Sequence, residues 1–294
     1  MPSDIAARLR RHLPDVPPAG NRALTNLSSC RTGTLPASLR LIVPGHGAPG
    51  RTAQLLKSLD HVQSQVQSVG IAYSCVVYVY SPLVAVDASG RLGGCEVHRH
   101  DGLWTHHLLH HGVGSGSYVA LMLDDMDMRL VRVPAFLSLM RGRHLDAASA
   151  AIPDWRWSVM RPKKKCGMHA TKFIDPLFVV YSPSAFRCFL SLIDPHLDPS
   201  GWGVAYVYAR HCNATMGVLD EHLAGHRGEW GFRRKYSSSD AAHGMRAYLR
   251  HHWELSSEQE VSNARFHFEH NFMWVKAFGP SSRASRCQCN VSVP

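Results

Sequence analysis

YVALMLDDMDM, from Tyr118 to Met128, is the stretch that determines how the rest of the chain is interpreted. Its first six residues are apolar and follow a Gly-Ser-Gly-Ser turn signal. This pattern predicts a buried β-strand, although an apolar run of this length is also compatible with a helix. Three carboxylates, Asp124, Asp125 and Asp127, come directly after it. The predicted strand therefore ends in a concentrated negative charge.

The three carboxylates indicate either a cation site or a solvated acidic turn. Ligands of open α/β sheets bind at the carboxyl ends of the strands. Carboxylates this close repel each other unless a cation or bases lie between them. Asp125 and Asp127, two residues apart in extended backbone, are placed to reach one ion. Asp124 is expected on the other face of the strand end, where it orients the loop or contacts a nucleoside. Spacing alone leaves both interpretations open.

The composition is that of a globular protein that favours anionic partners. Of the 294 residues, 45% are hydrophobic and 18% are charged, which excludes a disordered chain. The formal charge of +10 favours phosphates, nucleotides, nucleic acid or acidic membrane surfaces. The basic run from Lys163 to Lys165 is too short for a nucleic-acid arm. No apolar run approaches the roughly 18 residues that span a bilayer, so we expect no transmembrane segment.

Strands and helices alternate up to the acidic stretch. Leu39 to Val43 and Ile71 to Tyr80 are predicted strands. A helix is predicted over residues 51–69, because apolar residues recur there at helical spacing: Leu55, Leu56, Leu59, Val62 and Val66. A second helix is predicted over residues 103–111. The order β, α, β, α, β predicts a parallel sheet with right-handed crossovers.

The Gly-rich loop from Pro44 to Gly50 connects the first strand to the first helix. Backbone N–H groups in such a loop can approach a phosphate or nucleotide closely. The loop matches neither the Walker pattern nor GxGxxG, so the signal is of low specificity.

The second half of the chain gives a less regular pattern. Helices are predicted over residues 129–140, 184–193, 204–212 and 245–255, and strands over residues 173–182 and 216–220. Residues 146–162, with Trp155 and Trp157, are predicted to be irregular.

Four histidines lie on the second predicted helix, at His106, His107, His110 and His111. They form two pairs spaced four apart, which can chelate a transition metal. No HExxH glutamate and no neighbouring Cys accompany them, so a polar helix near a site entrance fits as well.

Cysteines and glycosylation sequons bear on the compartment. The eight Cys residues form no CxxC pair, which argues against a zinc ribbon. Sequons at Asn26, Asn213 and Asn290 point to a secretory lumen, whereas the N-terminus lacks a signal-peptide core. The compartment stays open.

Three signals then occur in an informative order. A strand ends in Asp-x-Asp, a Ser-Gly-Trp-Gly turn at residues 200–203 opens a helix, and a strand ends in Gly-Val-Leu-Asp at residues 217–220 with His226 beyond it. This order resembles a GT-A glycosyltransferase. In particular it is similar to an uncharacterised, plant-rich family with Asp-Glu-Asp, Ser-Gly-Trp-Gly and Gly-Val-Val-Asp followed by His.

The resemblance covers residues 39–231 and implies an α/β fold with one GT-A-like domain. Its central sheet is expected to be mostly parallel and flanked by helices, with a Rossmann-like nucleotide-binding half and an acceptor half. The implied organisation is an N-terminal helix and linker (1–38), a catalytic domain (39–232) and a basic, His-rich, partly helical C-terminal extension (233–294).

The resemblance also implies a site. Asp125, Asp127 and His226 match residues that hold a divalent cation, Mn²⁺ or Mg²⁺, against the diphosphate of a nucleotide-sugar donor such as a UDP-sugar. The residues expected at the donor are Pro44, Gly45, His46, Gly47, Asp124, Trp202 and Gly203. The acceptor is expected to be a glycan, a glycoconjugate or a small molecule.

One position departs from the family. An Asp commonly follows the Ser-Gly-Trp-Gly helix start, and this chain has Ala205 there. In many inverting GT-A enzymes a carboxylate on this helix is the general base. Asp220 and Glu221 become the nearest candidates for a catalytic carboxylate.

Three functions are therefore compared. The first is a metal-dependent glycosyltransferase. The second is a catalytically inactive GT-A-like module that binds carbohydrate or anions, favoured by Ala205 and the positive charge. The third is a nucleic-acid-binding protein, which charge alone supports, so no specific nucleic acid is expected.

Overall fold

The computed structural model describes residues 34–47, 49–99, 105, 108, 117–155, 157–163, 167–226 and 238–271. The N-terminal segment and the last residues of the chain lie outside the described residues. So do the four histidines predicted as metal-chelating pairs, most of the helix predicted over residues 103–111, and the sequons at Asn26 and Asn290.

The described residues form nine strands and six α-helices. The strands are β1 (Ser38–His46), β2 (Ala72–Val79), β3 (Glu96–Arg99), β4 (Tyr118–Met122), β5 (Met126–Leu130), β6 (Ala147–Ala151), β7 (His169–Thr171), β8 (Phe178–Tyr181) and β9 (Met216–His226). The helices are α1 (Thr52–Ser68), α2 (Val133–Gly142), α3 (Pro183–Ser191), α4 (Val204–His211), α5 (Ser238–His252) and α6 (Glu258–Asn271).

All nine strands belong to one sheet, in the order β3-β2-β1-β4-β8-β6-β9-β5, with β7 paired to β9. Strands β1 to β4 are mutually parallel, and β6 and the first part of β9 run in the same direction as they do. Strands β5, β7 and β8 run the opposite way. The predicted α/β class, with a mostly parallel central sheet flanked by helices, is confirmed.

The first half of the sheet follows the predicted alternation. Helix α1 buries the stripe expected from its spacing: Leu55, Leu59, Val62 and Val66. Strand β1 is longer than predicted, because Pro44, Gly45 and His46 belong to the strand and not to the loop. The pairing with β2 shifts register between Val43 and His46, and this irregularity accommodates the proline, which lacks a backbone donor.

Four strands differ from the sequence prediction. Strand β6 lies in the segment predicted as irregular, because its sequence AASAA lacks the β-branched residues that mark strands, although it is fully buried. Strand β5 was predicted partly as loop and partly as helix. It alternates buried Met126 and Met128 with more exposed neighbours, and α2 begins only at Val133. The short strands β3 and β7 were missed.

The last helices pack onto the sheet domain. Tyr248 and Trp253 are buried, and the Tyr248 hydroxyl donates a hydrogen bond to the Leu192 carbonyl, 2.7 Å away. The buried residues of α5 and α6 belong to the same hydrophobic core as the sheet. Within the described residues, no helix is both long enough and apolar enough to traverse a bilayer.

Two disulfides are present among the described residues. Cys75 of β2 is bonded to Cys95, next to β3, with a Cα–Cα distance of 4.8 Å. Cys188 of α3 is bonded to Cys212, at the end of α4, with a Cα–Cα distance of 5.9 Å. The bonded cysteines are 20 and 24 positions apart in the sequence. Closing loops of that length contributes about 3 kcal/mol each.

The turn before α4 has no room for a side chain at Gly203. A Cβ there would lie 2.5 Å from the Tyr248 ring and 3.1 Å from an Asp198 carboxylate oxygen. We expect Gly203→Ala to lower the free energy of unfolding by about 1–3 kcal/mol, because overpacking forces neighbours out of position. Urea unfolding followed by circular dichroism measures the change. Gly50→Ala is the control, since its Cβ would meet nothing within 4 Å. Equal effects of the two variants would contradict the prediction.

Candidate functional site

The candidate site lies where several strands end at one edge of the sheet. His46 is the last residue of β1, Asp124 and Asp125 follow β4 after one intervening residue, and His226 is the last residue of β9. Strands β1, β4 and β9 point towards the same edge. Their carboxyl ends therefore bring together residues that are up to 180 positions apart in the sequence. This is the edge where ligands of open α/β sheets bind.

His46 fixes the position of Asp124. The His46 side chain is fully buried, and its Nδ1 lies 2.8 Å from Asp124 Oδ2. Its Nε2 lies 3.0 Å from the hydroxyl of Thr52, the first residue of α1. With Nδ1–H donating to the carboxylate, a neutral ring uses Nε2 to accept the Thr52 hydroxyl proton. Asp124 is thus held against β1 and α1.

Arg51 lies between the two neighbouring carboxylates. Its Nη1 is 3.2 Å from Asp124 Oδ1 and 3.2 Å from Asp125 Oδ2. Both aspartates are less than a tenth exposed. Two buried carboxylates adjacent in sequence repel each other, and the guanidinium offsets that repulsion. Asp124 and Asp125 therefore face the same group. The sequence had predicted that Asp124 lies on the other face of the strand end, and this shared contact with Arg51 differs from that prediction.

His226 and Trp155 complete the other side of Asp125. His226 Nε2 lies 3.2 Å from Asp125 Oδ2. Burial raises the pKa of Asp125, but the His226 hydrogen bond and the His226 and Arg51 charges outweigh it and hold this pKa below its usual value. The Trp155 ring lies edge-on to His226 at a centroid distance of 4.6 Å, and its Nε1–H donates to Asp175 Oδ2 at 2.9 Å.

One carboxylate oxygen of this cluster has no hydrogen-bond partner among the described residues. Asp125 Oδ1 is buried and accepts no hydrogen bond from the described residues. Carboxylate oxygen together with one imidazole is a donor set that suits Mn²⁺ or Mg²⁺. The residues present therefore fit a divalent cation. Within the described part of the chain, no group of three or more His, Cys, Asp or Glu side chains gathers closely enough to cage a metal by itself.

Asp127, predicted as a second ligand, lies on β5 opposite Gly225. Its Oδ1 accepts a hydrogen bond of 2.9 Å from Arg129 Nε. Arg129 is half exposed, so this ion pair contributes little stability and can be exchanged. The described contacts join Asp125 to His226, and they do not join Asp127 to either.

The two proposed catalytic carboxylates have different surroundings. Asp220 is buried, lies 2.9 Å from His169 Nδ1 through one oxygen, and accepts a hydrogen bond of 3.0 Å from the Lys163 backbone N–H. Glu221 is exposed. Neither has a described contact with Asp125 or His226.

The Ser-Gly-Trp-Gly turn is organised by Asp198, which the sequence analysis missed. Its two oxygens accept hydrogen bonds of 2.6 Å from the Ser200 hydroxyl and from the Gly203 backbone N–H. Burial raises the pKa of Asp198, and these hydrogen bonds only partly oppose the rise. Trp202 is 38% exposed, whereas Gly203 is buried. An Asp shortly before a helix start is a capping signal that could have identified this residue.

Ala205 lies in apolar surroundings. It is 8% exposed and lines a small cavity together with Ile174, Tyr181 and Phe189. A carboxylate at position 205 of this chain would be buried among apolar groups, at a desolvation cost of several kcal/mol. The packing here is adapted to a small apolar residue.

Comparison with known proteins supports the fold. No protein-family model matches the chain, and no curated protein matches it. Residues 1–349 of TarS from S. aureus, solved in complex with UDP-GlcNAc, are similar in structure. The TM-score is 0.50 at 12% identity, over 79% of this chain and 73% of that one.

Two further solved structures are similar at lower scores. One is the mannosyltransferase PcManGT from Pyrobaculum calidifontis in complex with GDP-Man and Mn²⁺, with a TM-score of 0.45, 12% identity and coverage of 90% and 85%. The other is mannosyl-3-phosphoglycerate synthase from Rubrobacter xylanophilus, with a TM-score of 0.42, 12% identity and coverage of 89% and 80%. The chain has the fold of GT-A-like nucleotide-sugar glycosyltransferases.

Strand β9, which carries His226, also contains the buried His222. His222 is fully buried, and neither of its ring nitrogens has a hydrogen-bond partner among the described residues. Its ring lies edge-on to Phe136, 5.5 Å away. Burial, assisted by the charge of Arg132, lowers the pKa of His222 to about 4.

We expect His222 to make the protein less stable at acidic pH. The unfolded chain protonates His222 near pH 6.5 and the folded chain near pH 4, so stability falls as the pH is lowered through this window. The loss is on the order of 3 kcal/mol. His222→Phe should flatten the fall in unfolding free energy between pH 6.5 and pH 4, and substitution of the exposed His196 by Phe should not. A slope unchanged in His222→Phe would contradict this.

Proposed function

We propose that the protein is a metal-dependent glycosyltransferase that takes a nucleotide-sugar donor, a UDP-sugar by preference. The observation that carries the proposal is the cluster of Asp124, Asp125 and His226 at the carboxyl edge, with a buried Asp125 oxygen that lacks a described partner. A GT-A-like fold supports it. A merely solvated acidic turn does not account for carboxylates that are more than nine-tenths buried.

The roles of the residues follow from their surroundings. Asp125 and His226 would hold the cation, with the remaining coordination positions left to the donor diphosphate and water. The cation, when bound, supplies Lewis-acid stabilisation of the departing diphosphate. Asp127 remains a proposed ligand, which requires its carboxylate to leave Arg129. Asp124, fixed by His46, would contact the nucleoside.

Two segments complete the proposed donor and acceptor sites. Pro44, Gly45 and Gly47 flank the buried His46, and this end of β1 would lie against the nucleotide. Trp202, partly exposed beside the buried Gly203, offers a ring face to a sugar. The acceptor would be a glycan, a glycoconjugate or a small molecule.

The base that deprotonates the acceptor is proposed to be Asp220 or Glu221. Asp220 is oriented by its contacts with His169 and Lys163 but is buried, whereas Glu221 is open to solvent. A general base needs both a fixed geometry and access to the acceptor hydroxyl. Each residue meets one of these requirements in the described conformation.

A second function is favoured by Ala205. Because a buried apolar residue fills the usual carboxylate position, this function is that of an inactive module that binds carbohydrate or anions. Such a module would retain donor or glycan binding and would release neither free sugar nor transfer product from any nucleotide-sugar.

Donor binding should depend on the metal. In a thermal-shift panel of UDP, UDP-sugars and GDP-mannose, we expect a rise in melting temperature only when Mn²⁺ or Mg²⁺ is present. Ligand at 100 times its Kd stabilises the folded state by about 2.7 kcal/mol. Asp125→Asn should abolish the metal-dependent rise, because it removes the charge that holds the cation.

The exposed Asp60 provides the matched control, since Asp60→Asn removes the same charge from the outer face of α1. Circular dichroism of both variants checks that they fold. Equal stabilisation with and without metal, or none with any nucleotide, would refute the proposed function. Donor binding without hydrolysis or transfer to a broad glycan panel would favour the binding module.

A further inference from the structure

The contacts of Arg51 with the two site carboxylates are long for charged groups. One nitrogen, Nη1, is shared between Asp124 and Asp125 at 3.2 Å from each. Charge-assisted N–H···O bonds are usually about 2.7–2.9 Å long, and a strong arginine pair uses two nitrogens on one carboxylate. The bond from His46 to Asp124 is 2.8 Å. Of the two described side chains that contact Asp124, Arg51 therefore makes the longer and weaker contact.

A divalent cation at Asp125 competes with Arg51 for the same charge. The guanidinium contacts Asp125 Oδ2, and the neighbouring Oδ1 is the oxygen without a described partner. The two oxygens of one carboxylate are about 2.2 Å apart, so a metal ion and the guanidinium would be close neighbours. Their mutual repulsion is large in a site that is poorly exposed to water. Occupation by the metal favours displacement of the arginine.

A diphosphate bound near the N-terminus of α1 would offer a second position for the Arg51 guanidinium. Arg51 directly precedes α1, a helix of 17 residues whose first turn contains no acidic residue. The helix N-terminus carries partial positive charge and favours anions. The planar guanidinium matches the oxygens of a phosphate group. A diphosphate bound to a cation at Asp125 would lie within reach of both.

We propose that Arg51 is an exchangeable counter-ion: it neutralises Asp125 in the empty site and transfers to the donor diphosphate when the metal binds. This inference rests on the proposed function. When Arg51 leaves, Asp124 stays hydrogen-bonded to His46, and His46 stays hydrogen-bonded to Thr52. The end of β1 therefore keeps its position. The exchange keeps the carboxylate neutralised in both states and adds a positive charge at the leaving group.

The exchange predicts opposite effects of one substitution on two ligands. Arg51→Gln should raise the affinity for Mn²⁺ alone by about tenfold, because the competing cation is gone. The same variant should bind UDP about tenfold more weakly at saturating Mn²⁺, because a charge-assisted phosphate contact is lost. Electron paramagnetic resonance of free Mn²⁺ measures the first affinity, and calorimetry measures the second.

Two further variants keep the test sharp. Arg51→Lys retains the charge and should leave the Mn²⁺ affinity close to that of the unsubstituted protein. Arg187→Gln makes the same change at an exposed position of α3 and should alter neither affinity. If Arg51 had only a structural role, Arg51→Gln would lower the affinities for Mn²⁺ and for UDP together. That result, or no change in either affinity, would overturn the exchange. Absence of nucleotide binding in the unsubstituted protein would instead refute the proposed function, while the Mn²⁺ measurement still decides the competition.

A separate observation concerns the turn between α4 and β9. Asn213, Ala214 and Thr215 form a sequon in which Asn213 and Thr215 are exposed, and Asn213 has a positive φ of 46°. Cys212, the preceding residue, is bonded to Cys188, and Cys75 to Cys95. Disulfides persist in oxidising compartments such as the secretory lumen. A glycan on Asn213 would project into solvent without disturbing the fold.

We infer that Asn213 is an N-glycosylation site. In the reaction a bond forms between Asn213 Nδ2 and the anomeric carbon of a lipid-diphosphate oligosaccharide. The bond from that carbon to the phosphate oxygen breaks, the lipid diphosphate leaves, and the amide loses one proton. The donor and its transferase are those of the secretory pathway.

The test is expression with a secretory leader in eukaryotic cells, followed by mass spectrometry of the peptide that contains Asn213. We expect a glycan that glycosidase treatment removes, converting Asn213 to Asp. Thr215→Ser keeps the sequon and should keep the glycan, whereas Thr215→Val should abolish it. An unmodified Asn213 peptide from the secreted protein would overturn the assignment.

Discussion

Compensation of the charges on Asp124 and Asp125 is the constraint on which the site depends. Both side chains are less than a tenth exposed, so their charge must be balanced by neighbouring groups and not by water. The balancing groups come from the end of β1, the start of α1 and the end of β9. No single segment of the chain contains them. The parallel register that joins Leu39–Ile42 to Tyr118–Leu121 is what brings β1 beside β4.

Strand β9 meets this constraint by changing partners. It pairs with β6 and β7 in its first half and with β5 at its end. Between the two halves the register with β6 jumps from Leu219 to Leu223. The three residues in the jump have distinct roles: Asp220 pairs with His169, Glu221 faces solvent, and His222 is buried without described partners. Beyond the irregularity β9 pairs with β5 and ends at His226, which contacts Asp125.

The sequence predicted the elements whose burial follows a simple period, and it missed those that depend on distant partners. Helix α1 and strands β1, β2 and β4 have strong apolar patterns, so both their type and their order could be predicted. Strand β6 is an alanine run that becomes a strand only because β8 and β9 flank it. The acidic stretch was predicted to be a metal site from its position after an apolar run together with the motifs that follow it. Arg51 was not, because an arginine at a helix start is ordinary until the fold places it 3.2 Å from two carboxylates.

The proposed donor side and the proposed acceptor side of the domain differ in their polar contacts. On the proposed donor side Asp124, Asp125 and His226 all have described partners, and only the Oδ1 oxygen of Asp125 lacks one among the described residues. A buried carboxylate oxygen without a hydrogen-bond partner lowers the stability of the folded protein by about 1–3 kcal/mol or more. A turn that binds no ligand would be more stable if another group donated a hydrogen bond to this oxygen. On the proposed acceptor side, Ala205 is packed against apolar side chains, and Asp198 accepts hydrogen bonds from the turn that it organises. The unpartnered Asp125 oxygen therefore favours a site that binds a cation. Whether the domain is an enzyme or a binding module depends on which carboxylate can deprotonate the acceptor.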